Sequence, residues 1–287
     1  MKELSILIPT YNDKCYQLVS DLHQQAMSLG IVYEIVVADD GSTDKDVLAF
    51  NRAIKTLPNC RLIERPLNSG RAVIRNFLTQ QAQYSWLLFI DSDMTVCRQD
   101  FLKRYVSVEG EVLYGGVVIG KVTKNNLRSL YEQSKEHEHT FEKRQQSPYQ
   151  DFHTANFLIR RDLMVRYPFD ERFKHYGYED VLLGKYLQQD NIQIVHIDNP
   201  LSFEIFETNE AFVSKTEEGL RTLHQFQDEL RGYSRLLDFT EHHQIVIAIV
   251  KWWHRLVGKW ERRQLTGNAP ILRLFSLYRL GYFLCLK

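Results

Sequence analysis

Over about its first hundred residues the chain alternates short runs of β-branched and apolar residues with polar, helix-compatible segments. Each run stops at a cluster of Gly, Asn or Asp. This rhythm restricts the fold more than any other feature, because strands separated by helices in this way build βαβ units around a parallel sheet. Strands are expected at residues 4–8, 34–38, 61–64 and 86–90, with helices at about 16–29, 44–56 and 71–83. Strands so uniformly apolar belong to a sheet covered on both faces. Ligands of such sheets sit at the carboxyl ends of the strands. Here those ends carry Thr10-Tyr11-Asn12, Asp39-Asp40-Gly41-Ser42 and Asp91-Ser92-Asp93, so three polar clusters are expected to converge on one edge.

Further along, a strand is expected at 112–119. The polar stretch 124–150 reads as an exposed helix or mobile loop near a substrate, and order returns at 152–160. A helix opens at Tyr178-Glu179-Asp180 and runs to about Gln188, followed by a strand at 193–197. From Glu210 the pattern is helical, ending in two segments rich in Ile, Leu, Trp, Phe, Lys and Arg, and no internal repeat is present.

Charge narrows the function classes. With 36 basic and 36 acidic residues in 287, nothing overall favours a nucleic-acid partner. The four cysteines lie far apart without a C-x-x-C pair, which argues against a zinc site or a disulfide scaffold and for a reducing cytoplasm. The first apolar run meets Pro9 too soon for a secretory signal. The run 245–250 is broken by Lys251, well short of the roughly 18 residues a spanning helix needs.

Asp91 and Asp93 follow a strand two residues apart, so they point the same way. Paired carboxylates on one edge suit a hard divalent ion such as Mg²⁺ or Mn²⁺, shared with substrate phosphates. The plainer alternative is a cap for the following helix. The company of Asp39-Asp40-Gly41-Ser42-Thr43-Asp44 and Asn68-Ser69-Gly70-Arg71 on the same edge favours the ligand reading. Carboxylates there can accept from a nucleobase or ribose, and Arg71 or Arg75 near a helix start can face phosphate. Asp44 alone reads as an ordinary helix N-cap.

In these ordered motifs the chain resembles the family 2 glycosyltransferases, nucleotide-sugar enzymes of the GT-A fold. The residues that carry the likeness are Ile8-Pro9-Thr10-Tyr11-Asn12, Val37-Ala38-Asp39-Asp40-Gly41-Ser42, Asn68-x-Gly70-x-Ala72-x-x-Arg75-Asn76, Asp91-Ser92-Asp93 and Gly177-Tyr178-Glu179-Asp180. The resemblance implies a GT-A-like α/β domain over 1–205, with a nucleotide-binding half (1–97) and an acceptor half (98–205), and a helical extension over 206–287. It implies that Thr10, Tyr11, Asp39 or Asp40, and Arg71 hold the nucleotide, with Pro9, Asn12, Asn68, Gly70, Arg75, Ser92 and Glu179 beside them. Asp91 would contact the nucleotide-sugar and Asp93 would ligate Mn²⁺ or Mg²⁺. Asp180 would be the base of an inverting transfer from a uridine-diphosphate sugar to a hydroxyl of a glycan or lipid-linked glycan. Asn156 falls where the family often has a turn facing the donor sugar.

One departure stands out. Where many relatives place a further metal-ligating histidine, this chain reads Asn199-Pro200-Leu201-Ser202-Phe203-Glu204, which leaves His196, Glu204 or water as the third ligand. Two other motifs fail. Gly115-x-x-x-x-Gly120-Lys121 lacks the Ser or Thr of a phosphate loop and reads as a strand, and Glu136-His137-Glu138-His139 reads as a solvated face. No Q-x-x-R-W signature of processive synthases is present, which favours transfer of a single sugar. The tryptophans and basic residues of the last segments suit either peripheral contact with an anionic membrane surface or ordinary helix packing. Two rival functions are a sugar nucleotidyltransferase, whose Gly-rich basic loop is absent, and a non-catalytic nucleotide- or glycan-binding relative.

Overall fold

The computed structural model describes residues 1–286; Lys287, the last residue of the expected extension, lies outside the described residues. Ten strands form: β1 (Glu3–Thr10), β2 (Val32–Asp39), β3 (Cys60–Glu64), β4 (Trp86–Ile90), β5 (Met94–Thr95), β6 (Val112–Tyr114), β7 (Val117–Ile119), β8 (Asn156–Arg160), β9 (Ile194–His196) and β10 (Leu201–Phe203). Seven make one sheet in the order β3-β2-β1-β4-β8-β6-β9, in which only β8 runs against its neighbours. Because β2 and β4 flank β1 on opposite sides, the chain reverses direction across the sheet at β1, where a crevice opens beyond the strand ends.

Helices α1 (Tyr16–Ser28), α2 (Lys45–Asn51), α3 (Arg71–Gln81) and α4 (Phe101–Ser107) connect the first half. Side-chain alternation explains the two-sided core. Leu4, Ile6 and Ile8 of β1 join one apolar layer with Leu18, Leu22 and Phe101, while Leu7 joins the other with Ala72, Ile74 and Leu78. Across β4 and β8 the rings of Phe89 and Phe157 stack 4.9 Å apart, a contact worth about 1 kcal/mol beyond its burial.

The expected single strand at 112–119 is two. A turn at Gly115-Gly116 moves the chain from β6 into a second sheet, β5-β10-β7. Gly116 has φ +89°, and a Cβ there would meet the Arg144 guanidinium at 2.5 Å. The polar stretch forms α5 (Leu127–Glu136) and α6 (Phe141–Arg144), and it is less exposed than its composition suggests: Leu127, Ser129 and Arg144 are buried. Next come α7 (Arg161–Arg166) and α8 (Glu179–Gln189), then α9 (Asn209–Gln225), α10 (Gln227–Leu230), α11 (Arg235–His242), α12 (Gln244–Thr266) and α13 (Leu272–Cys285). The last helices are not a detached appendage, because Phe212, Val213, Leu265, Phe275 and Tyr278 pack with Leu127 of α5.

Candidate active site

Two clefts meet over the carboxyl ends of β1 and β4. One, of about 430 Å³, is lined by Pro9, Thr10, Tyr11, Asn12, Asp40, Asn68, Gly70 and Arg75 among others. The second, of about 450 Å³, is walled by α5, α8, α9 and α13 and includes His153, Glu179 and Asp180. Arg71, Asp91, Asp93, Arg128, Tyr176 and Lys215 line both, so this group marks the junction.

Many motif residues on the first cleft bind one another. Asn12, in a left-handed conformation at φ +52°, accepts from the amides of Thr43 and Asp44 and so joins the β1 loop to the β2 loop. Asp44 caps α2 by accepting from Asp46 and Val47, as read from sequence. Asp40 pairs with Arg65 at 2.8 Å and accepts from the amides of Ser69 and Gly70, which holds the loop before α3. Asp39 accepts from the Ser42 amide, while its Oδ2 is buried without a partner. Asn68 accepts from Gly70, Thr10 donates to the Asp13 carbonyl, and Ser92 donates to Asp13. Tyr11 stays exposed at the cleft mouth.

Two placements correct the sequence reading. Arg75 borders the first cleft but is 1% exposed, its guanidinium committed to Asp91 at 2.6 Å and Glu179 at 3.2 Å. Glu179 is likewise buried, held by Arg75 and by Arg71 at 3.6 Å. Asn156 lines neither cleft. It is fully buried at the start of β8, accepting from the Tyr105 hydroxyl and donating to the carbonyls of Gly116 and Asn199. Its neighbours His153, Thr154 and Ala155 line the cleft instead.

The aspartates of the D-x-D pair differ in state. Asp91 gives one oxygen to Arg71 at 3.0 Å and the other to Arg75. Burial alone would raise its pKa, but the two guanidinium groups outweigh that and hold it below the usual carboxylate range. Asp93 is pushed up to about 6, by burial first and then by the charge of Asp91. A carboxylate strained in this way, opening on both clefts, is relieved by a cation. The residues therefore fit a divalent ion, provided that substrate oxygens complete its shell, as they commonly do for Mg²⁺. No group of three His, Cys, Asp or Glu placed to hold a metal occurs among the described residues. His196 is excluded as a ligand: it is buried, meets Arg144 at 3.2 Å and the Pro148 carbonyl at 2.9 Å, and has its pKa lowered to about 4, chiefly by burial. Glu204 is exposed and lines neither cleft.

Asp180 lies in the first turn of α8, which starts from two left-handed residues, Gly177 at φ +96° and Tyr178 at φ +71°. A tyrosine seldom adopts that conformation, and such outliers collect at functional sites. Asp180 accepts from the Val181 amide at 2.8 Å and meets Nδ1 of His153 at 3.2 Å. Burial opposes ionisation, yet the His153 hydrogen bond and charge prevail and lower its pKa; reciprocally, Asp180 raises that of His153 against burial. The pair keeps an ionised carboxylate at the cleft wall.

Several cleft residues escaped the sequence reading. Arg128 of α5 and Lys215 of α9 share Glu207, at 2.6 and 3.5 Å, and Lys215 lies 4.9 Å from the Tyr176 ring that Arg71 faces at 5.0 Å. Arg279 of α13 donates to the Tyr131 hydroxyl. His139 also lines the wall, so the stretch 136–139 is not simply a solvated face. None of these sits in a motif; only a contact map places them.

The family description "Glycosyl transferase family 2" matches residues 5–167, more than half of the chain. The chain belongs to glycosyl transferase family 2. An uncharacterized glycosyltransferase of Haemophilus influenzae is 35% identical over 96 residues, which is 32% of this chain and 37% of the relative. A poly(ribitol-phosphate) beta-glucosyltransferase of Bacillus spizizenii is 35% identical over 132 residues, 45% of this chain and 20% of the relative. The chain thus aligns with well under half the length of these curated relatives. Among solved structures, S. aureus TarS 1-349 in complex with UDP superposes with a TM-score of 0.53 at 17% identity, covering 98% of this chain and 89% of that one. The likeness shows a shared GT-A-type transferase fold that extends through the C-terminal helices.

Proposed function

We propose that this family 2 member is an inverting glycosyltransferase that moves one sugar from a uridine-diphosphate sugar to a hydroxyl of a glycan or lipid-linked glycan. The observation that carries the reading is the junction of the clefts. Asp93, unpaired with any cation, opens on both, while Asp180, held by His153, stands in the second. In this reading the nucleotide lies along the first cleft, with Tyr11 offering a ring face and Arg71, Arg128 and Lys215 facing the diphosphate. When bound, a Mn²⁺ or Mg²⁺ ion held by Asp93 supplies charge neutralisation to the leaving group.

The acceptor hydroxyl enters the second cleft and gives its proton to Asp180. Its oxygen forms the new bond to the anomeric carbon as the bond from that carbon to the diphosphate breaks on the opposite face. One displacement inverts the anomer. Positioning both reactants in line removes much of the barrier, and His153 keeps Asp180 ionised and oriented. UDP bound to TarS supports the choice of nucleotide.

Calorimetric titration of UDP with Mn²⁺ present, and again with the metal chelated, tests the reading. Metal-dependent binding lost in Asp93→Ala is expected. Absence of UDP binding in both conditions would overturn the donor assignment.

A further inference from the structure

Helix α12 carries an apolar stripe with nothing packed on it. Ile245, Ile249, Trp252, Leu256 and Trp260 are each between 56% and 79% exposed. Their spacing of three and four residues puts them on one face over about four turns. Seven of the 16 large hydrophobic residues exposed among the described residues lie on this one helix. Such concentration on one element is unusual for a surface in contact with water alone.

Along one border of the stripe runs a row of cations at four-residue steps, Lys251, Arg255 and Lys259. The helix's ion pairs lie elsewhere, between His254 and Glu261 and from Arg262 to Glu210 and Glu217, which leaves this row without a carboxylate partner among the described residues. The only acidic residue of α12, Glu261, is fully buried. The opposite face, with Val250 and Leu265, is packed, and α13 approaches so closely that a Cβ on Gly281 would meet His254 at 2.6 Å. The stripe is therefore fixed outward on a helix whose other side is occupied.

We propose that this face of α12 is a docking surface for an anionic lipid bilayer, with the tryptophans and aliphatic side chains entering the interface and Lys251, Arg255 and Lys259 meeting lipid phosphates. Charge selects the occupant. A second copy docking face to face would bring two uncompensated cation rows together, whereas an anionic surface complements them. No helix among the described residues is long and apolar enough to cross a membrane, so α12 lies along the surface. Its partner α13 lines the acceptor cleft with Phe275 and Arg279, so docking sets the cleft one helix away from the lipid. The inference deepens the proposal of a lipid-linked acceptor, and its test is separable from that reading.

The test is flotation of the full chain with vesicles of phosphatidylcholine alone or mixed with phosphatidylglycerol, with UDP binding measured on the same samples. Wild type is expected to float with the mixed vesicles only. Replacing the row (Lys251→Gln, Arg255→Gln, Lys259→Gln) should weaken binding roughly a hundredfold. Trp252→Ser with Trp260→Ser should abolish it, with UDP affinity and far-ultraviolet circular dichroism unchanged in both variants. Absence of flotation with intact UDP binding would overturn the surface and leave the donor reading standing. Equal binding to neutral vesicles, or a concentration-dependent dimer that the tryptophan variant loses, would also overturn it. Flotation without UDP binding would support the surface and remove the donor reading.

Discussion

The two clefts are built in opposite ways. On the nucleotide side the polar residues come from motifs, and most are already bound: Asn12 to the loop after β2, Asp40 to the loop before α3, Arg75 to Asp91 and Glu179. Around the second cleft and its junction with the first, Arg128, His153, Lys215 and Arg279 come from segments without a motif, and each borders open space while holding a partner, Glu207, Asp180 or Tyr131. A recurring motif residue is thus often part of the framework that shapes a site. The groups left to meet a substrate can come from anywhere that packs against it.

The sharpest way to break this contrast is at Asp180, on the open side. Asp180→Asn should keep donor affinity and fold while lowering kcat by about 10²–10⁴, measured as sugar transfer alongside UDP titration. Unchanged transfer would show that the base lies elsewhere. On the committed side, Arg75→Met should act through stability, with a loss on the order of 3 kcal/mol in chemical denaturation, because it leaves the buried Asp91 and Glu179 to share the single, more exposed Arg71. If that variant were as stable as wild type but inactive, Arg75 would belong with the substrate-facing groups.

Acid sharpens the same comparison in the buried layer behind the second cleft, where His196 meets Arg144. The folded pKa of His196 is lowered to about 4, by burial first and then by Arg144, against about 6.5 for an unfolded histidine. The folded state binds fewer protons, so this contribution is fully present above pH 6.5 and is lost as pH falls toward 4, on the order of 3 kcal/mol. Denaturation midpoints followed from pH 7 to pH 4 should show the decline, and His196→Gln should make it shallower, with His139, whose pKa burial also lowers to about 4, keeping part of it.

The positions of the first four strands and the convergence of their ends were legible because alternation and terminal Gly or Asp clusters are local signals. The division of 112–119 into β6 and β7 was not, since both pieces are apolar and only the Gly115-Gly116 turn separates them. The D-x-D pair was visible as a pair. That Asp91 is neutralised and Asp93 left open depends on Arg71 and Arg75, which reach Asp91 only once α3 has packed on the sheet. His153 was invisible as a partner of Asp180 because they stand 27 positions apart, with the whole of β8 and α7 between them in sequence.

The buried Arg75 spans the end of β4 and the start of α8. It acts as a strut of fixed length between the strand that presents Asp91 and Asp93 and the helix that presents Asp180. With that spacing set by the interior, the roof of α5, α9 and α13 can change its lining, and in the proposed reading the acceptor it admits, while the gap between the aspartates keeps its gauge.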